Sequence, residues 1–253
     1  MAIAEALIHQ HPNLFKIDDN LNHLVQKIEL LNYINPINIE AEKRKFFSSK
    51  YNINPVFHYR KIDFDAHQLQ QQLFSQQIDS IKDEVSRNFY RDVIYDYSGL
   101  IQCIETIGKG QKFYYNALKS FGTPTEKDVA NAQFILHFKD EEYDSEMFPV
   151  FSAEEAANYF VEFTKKYDFQ FTIKFSTKIS AAAMVQNNTQ TLLLKKNHRF
   201  SANQLKVLAN HEIGVHMVTT FNGMNQSLKI FHNGFPKNTE TQEGLAVFSE
   251  YMS

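Results

Sequence analysis

The chain has 253 residues, 43% of them hydrophobic and 22% charged, which supplies enough apolar mass for a sizeable core and excludes disorder as a description of the whole. A net charge of −3 argues against a broad nucleic-acid footprint, and a single cysteine, Cys103, excludes an internal disulfide. No run of about 18 apolar residues is present, so no membrane-spanning helix is expected; the short apolar start is interrupted by Glu5 and follows no basic leader, so the chain reads as cytoplasmic.

Only 8 glycines and 6 prolines punctuate the chain, which favours helices over turn-dense sheets, and 23 Phe with 12 Tyr supply the bulk for a core. The helical spacing of Leu21, Leu24, Val25, Ile28, Leu31 and Ile34 predicts a helix over 18–34, closed by Pro36. A second helix is expected over 39–49, and Pro55-Val56-Phe57-His58-Tyr59 reads as extended. From 66 to Gly108 a helical period runs through Leu69, Leu73, Ile78, Ile81, Phe89, Val93, Tyr97, Leu100 and Ile104, with Cys103 as an inert core residue. A helix over 111–120, a break at Phe121-Gly122-Thr123-Pro124 and a helix to 138 follow. The run 139–146 holds five acids and one lysine and is the expected linker, a solvated acidic loop. It divides an N-terminal helical region, 1–140, from a second part, 141–253.

Ser152-Ala153-Glu154-Glu155 has the form of a capping box and opens a helix to about 167. Phe169, Phe171, Ile173 and Phe175 then alternate with polar residues, as a half-buried strand requires. Two more strands are expected over 181–185 and 191–194, joined by Asn187-Asn188-Thr189. The second is either an ordinary core strand or a cleft edge able to pair with an extended peptide. Ser201-Ala202-Asn203-Gln204 reads as another capping box and starts a helix to Thr220. The expected fold is therefore α+β and mainly helical: a helical region, then a helix–small sheet–helix unit.

The chemistry concentrates in His211-Glu212-Ile213-Gly214-Val215-His216. The familiar zinc-peptidase arrangement sets two histidines four apart, about 40° offset around a helix, so that both reach one ion. A spacing of five gives about 140°, and the better-placed position is Val215. Either this is no metal site, or the helix is widened by a π-bulge or ends near His216; Gly214 lowers the cost of such a distortion. Phe221-Asn222-Gly223 is expected to end the helix in a turn. Beyond it, Thr239-Glu240-Thr241-Gln242-Glu243-Gly244-Leu245-Ala246 reads as a helix start, with Thr239 or Thr241 as N-cap. Glu240 and Glu243 share one face, and either carboxylate would complete a His-His-Glu set with a coordination position left for water. Glu212, beside the first histidine, is placed to take a proton from that water.

HEIGVH followed by Asn-Gly and then TQEGLA resembles the flavohaemoglobin expression-modulating QEGLA-motif proteins of bacteria, whose eukaryotic relatives are the microtubule-associated tyrosine carboxypeptidases. Pro55 to Tyr59, the FGTP at 121–124 and the run 191–211 look similar too, so the resemblance covers most of the chain. It implies a zincin-like zinc metallopeptidase of carboxypeptidase type, hydrolysing peptide or protein C-termini with a zinc-bound water. By motif position it implies one zinc per chain on His211, His216 and Glu243, with Glu212 as general base. Members of that family continue past TQEGLA, so the expectation is a core incomplete at its C-terminal end. The alternative is a catalytically silent metal-binding or regulatory protein, which would have no use for Glu212. His232 is a further possible ligand or a plain loop histidine. Lys195, Lys196 and Arg199 either hold a substrate carboxylate or form a solvated basic loop.

Overall fold

The first apolar stripe is buried only in part, through Leu21, Val25 and Ile28, and it runs over two helices rather than one. A computed structural model describes residues 8–26, 28–138 and 145–252. In it α1 (Pro12–Val25) starts at a proline, whose missing N–H would have had no helical partner there. It stops at Val25: Glu29 is extended (φ −117°, ψ 100°), and Asn188 from the distant strand connection donates to the Gln26 carbonyl at 2.5 Å. Helix α2 (Leu30–Ile34) then leaves Leu31 56% exposed instead of in the core. Helix α3 (Ile39–Ser48) follows. Residues 55–59 form no strand; Val56 N–H donates to Glu42 (2.9 Å) and His58 N–H to Asn38 (2.8 Å).

The single helix expected over 66–108 is likewise two, α4 (Ala66–Phe74) and α5 (Glu84–Thr106), joined through a 3₁₀ turn at Ile78–Ser80. Asp65 and Asp83 cap them, accepting from Gln68 N–H (2.9 Å) and Ser86 N–H (2.7 Å). An apolar stripe tells which face is buried; the caps decide where the backbone restarts. Helix α6 (Gln111–Phe121) opens after Gly108 and Gly110, both at positive φ, and α7 (Glu126–Ile135) carries a full capping box from Thr125 and Asp128. Residues 139–144 of the expected linker lie outside the described residues; Ser145–Met147 is a 3₁₀ turn.

Helix α8 (Ala153–Thr164) begins at the capping box read from Ser152 and Glu155, with both halves formed. Strands β1 (Thr172–Ser176), β2 (Ala183–Gln186) and β3 (Thr191–Lys195) make the one sheet among the described residues, in the order β1-β3-β2. β3 pairs parallel with β1 and antiparallel with β2, so it is the core strand, with Leu192 and Leu194 fully buried. β2 is an edge. Helix α9 (Ala202–Leu208) is capped by Ser201, which accepts from Gln204 N–H at 3.0 Å; the Gln204 side chain meets His198 Nε2 instead of closing the box. A π-helical segment (Ala209–Met217) and α10 (Val218–Met224) continue the rod. After 3₁₀ turns at Lys229–His232 and Pro236–Asn238 comes α11 (Thr239–Tyr251). Thr239 is its first residue rather than its cap; its hydroxyl bonds the Pro236 carbonyl. Among the described residues no helix is long and apolar enough to cross a membrane.

Two apolar cores result. One joins α1, α2, α4 and α5 through residues such as Leu21, Leu73, Tyr90 and Ile101; the other joins α8, the sheet, α9 and the π segment through Phe160, Leu192, Ile213 and Met217. Ile230 belongs to the first core although it follows the second in sequence. Asp18, 1% exposed, holds it there by accepting from the Tyr90 hydroxyl (2.7 Å), Lys229 N–H (2.6 Å) and Ile230 N–H (3.0 Å). A buried carboxylate with three donors is satisfied, and it ties the connection between α10 and α11 to α1 and α5. Gly223 is inside α10, not in a turn. The Phe231 carbonyl packs against it so closely that a Cβ would lie 2.2 Å from the oxygen.

Candidate metal centre

In an α-helix, five residues carry a side chain about 140° around the axis. Over Ala209–Met217 the hydrogen bonding is instead i→i+5, with Val218 N–H reaching the Ile213 carbonyl. Five residues then close slightly more than one turn, and His211 and His216 come onto one face with their Nε2 atoms 3.1 Å apart. Ala209, Ile213 and Met217, all fully buried, anchor the opposite face in the second core. A Cβ on Gly214 would meet nothing closer than the Tyr167 hydroxyl at 3.6 Å, so no close approach there forces the widening.

Helix α11 supplies the carboxylate. Of the two acids that spacing left open, it is Glu243 that approaches the rings: Oε1 is 3.5 Å from His216 Nε2 and Oε2 is 3.6 Å from His211 Nε2. Glu240 is exposed. One donor atom each from His211, His216 and Glu243 lies within 4.8 Å of the others. The far nitrogens are also engaged. His211 Nδ1 is 2.5 Å from Glu250 Oε1, and His216 Nδ1 is 3.3 Å from Gln242 Oε1. Carboxylate and amide oxygens only accept, so a neutral imidazole that donates to them from Nδ1 leaves its Nε2 lone pair facing inward. Two ring nitrogens and a carboxylate thus converge on one point. A cation satisfies that arrangement, and this imidazole–carboxylate donor set suits zinc.

Glu212 lies on the sheet side of the segment, 9% exposed, and accepts from Val185 N–H on edge strand β2 at 3.1 Å. Burial pushes its carboxyl above the ordinary carboxylate range, against the pull of His216, His211 and the Val185 bond.

A family model described as microtubule-associated tyrosine carboxypeptidase matches residues 44–253. The chain belongs to that family. No curated protein and no solved structure matches it. The family implies carboxypeptidase-type hydrolase activity at the family level and, with it, peptide or protein substrates.

For a carboxypeptidase the surroundings of the site matter as much as its donors. A cleft of about 360 Å³ opens onto His211, Glu212, His216 and Glu243, with Leu31 and Met184 on its walls. A second cavity of about the same volume adjoins it, between α5 and α11, and shares Leu31, Met184, Val185 and Glu243 with the first. Lys195, Lys196 and Arg199 line neither. Lys195 pairs with Glu40 (3.0 Å), and Arg199 donates to the Val150 carbonyl (2.7 Å). His232 sits in the Lys229–His232 turn, apart from the converging donors. Sequence reasoning missed Gln242, Glu250, Leu31 and the Val185 N–H. Only Glu250 left a trace: it follows Glu243 by seven residues, two turns on the same helix face.

Proposed function

We propose that this carboxypeptidase-family chain is a zinc-dependent, zincin-like enzyme that removes C-terminal residues from peptides or proteins, with one zinc per chain. His211 and His216 would hold the ion through Nε2 and Glu243 through its carboxylate. The observation that carries this reading is the convergence of three lone-pair donors, with a buried acid alongside, on one cleft. Zinc bound there would polarise the scissile carbonyl and lower the pKa of water to about 7. Glu212 takes the proton of the attacking water and passes it to the leaving amine nitrogen. Val185 N–H holds one Glu212 oxygen, which orients the carboxylate for that transfer. The helical region, 1–140, and the catalytic region, 141–253, both wall the cleft, through Leu31 on one side and Met184 on the other. Within the family, HEIGVH with TQEGLA favours kinship with the QEGLA-motif proteins, and a cytoplasmic setting fits a chain with one cysteine.

The test is zinc stoichiometry on purified protein combined with release of C-terminal amino acids from a peptide library. One zinc per chain, with turnover that Glu212→Gln abolishes while zinc stays bound, is the expected result. Stoichiometric zinc with no turnover on any peptide would sink the enzymatic reading and leave a metal-binding protein.

A further inference from the structure

Glu250 has no place in the ligand set or in the proton transfer, yet it makes the shortest contact at the site, 2.5 Å from His211 Nδ1. Its position follows from α11. Glu243 and Glu250 are seven residues apart, which on an α-helix brings them within about 20° of one another and about 10 Å apart along the axis. One face of one helix therefore meets both edges of the His211 ring: Glu243 at Nε2 and Glu250 at Nδ1. The pair is sheltered, with the His211 side chain 17% and the Glu250 side chain 29% exposed. His216 has a weaker counterpart, the Gln242 amide oxygen at 3.3 Å.

We propose that Glu250 is a positioning residue that locks His211 in the Nδ1–H tautomer, and so aims its Nε2 lone pair at the cation. This rests on the reading of His211 as a zinc ligand. The physical reason is that a neutral imidazole carries one proton on either of two nitrogens, and only the Nδ1–H form leaves Nε2 able to bind metal. A carboxylate against Nδ1 selects that form and holds the ring in place before metal arrives. Partners of this kind change metal affinity about 10–100-fold when removed. The neutral Gln242 acts more weakly on His216, so the two rings are not equivalent: His211 is the one held in advance.

Two measurements on the full chain separate this from the metal reading. The first is zinc affinity, by competition with a chromophoric chelator, for the wild type and for Glu250→Ala, Glu250→Gln and Glu243→Gln. The second is the His211 ring-nitrogen chemical shifts in metal-free protein, read on the high-pH plateau where the ring is neutral. Expected are an Nδ1–H tautomer in the wild type, its loss in Glu250→Ala with a fall in zinc affinity of about 10–100-fold, and substantial recovery of both in Glu250→Gln, which still accepts a hydrogen bond. Glu243→Gln should weaken zinc binding and leave the His211 tautomer alone. If Glu250→Ala changes neither affinity nor tautomer, the inference falls while the zinc site stands. If the wild type takes up no zinc, the zinc reading falls, and the tautomer shifts alone decide for or against Glu250. A wild-type His211 in the Nε2–H form overturns the inference without any variant, even if Glu250→Ala fails to fold.

Discussion

Gly223→Ala sets two effects of opposite sign against each other. Gly223 lies inside α10, where replacing glycine by alanine normally gains about 1 kcal/mol of helix propensity. Here the new methyl would sit 2.2 Å from the Phe231 carbonyl oxygen and 2.9 Å from its carbon, below the 3.0 Å floor for Cβ contacts. The obstacle is backbone, and it cannot swing aside. Phe231 follows Ile230, which is fully buried in the first core, and Asp18 holds both Lys229 and Ile230 N–H. Overpacking against a structure that can partly yield costs about 1–3 kcal/mol, and a pinned backbone belongs at the top of that range. The propensity gain leaves a net loss of about 2 kcal/mol, which for a chain of this size lowers Tm by about 4–8 °C. Urea titration and calorimetry of the wild type and variant measure it. An unchanged or raised Tm would show that propensity wins, and that the turn over Lys229–His232 does not press on α10 as described.

Asp18→Ala would leave the Tyr90 hydroxyl and two backbone N–H groups buried without their acceptor, at about 1–3 kcal/mol each. A loss of about 3 kcal/mol or more in urea unfolding is expected, and a loss under about 1 kcal/mol would contradict the role of Asp18 in tying the α10–α11 connection to α1 and α5. Chelation should lower Tm by about 8–16 °C relative to protein with free zinc near 1,000 times Kd, because a ligand at that level contributes about 4 kcal/mol. The same treatment of His216→Ala should move Tm little; equal shifts in both proteins would argue against His216 as a ligand. Glu243→Gln should weaken zinc binding by more than about 100-fold, beyond the usual loss for an outer partner, whereas Glu240→Gln, outside the converging donors, should leave it unchanged. A reversed order would reassign the third ligand.

The signals that survived from sequence to structure are local and self-contained. Ser152 and Glu155 bond each other's backbone across three residues, so the start of α8 needs nothing from elsewhere in the chain. Gly108 and Gly110 stop one helix and start the next by backbone conformation alone. Where distant groups compete for the same atoms, the reading drifted. Leu31 fits an apolar stripe, but the break after Val25, with Asn188 on the Gln26 carbonyl, turns it out to the cleft wall. Gln204 has the right spacing for a capping box, yet its side chain goes to His198. Lys195 and Arg199 precede the histidine segment as a substrate-binding cluster would, and they are spent on Glu40 and Val150.

The amino-acid sequence by itself determined the mainly helical character, the helix–sheet–helix order and the short list of donors, because apolar period, capping residues and residue chemistry are all written within a few positions. Tertiary structure alone decided whether the two histidines meet. A spacing of five puts both rings on one face only on an i→i+5 backbone, and that backbone is held by Ala209, Ile213 and Met217 in a core built with α8 and the sheet. It also set Glu243, the acid implied by the motif resemblance, rather than Glu240 against the rings, and it revealed Glu250, since the rotation of α11 against the π segment is set by packing between segments that lie far apart in the chain.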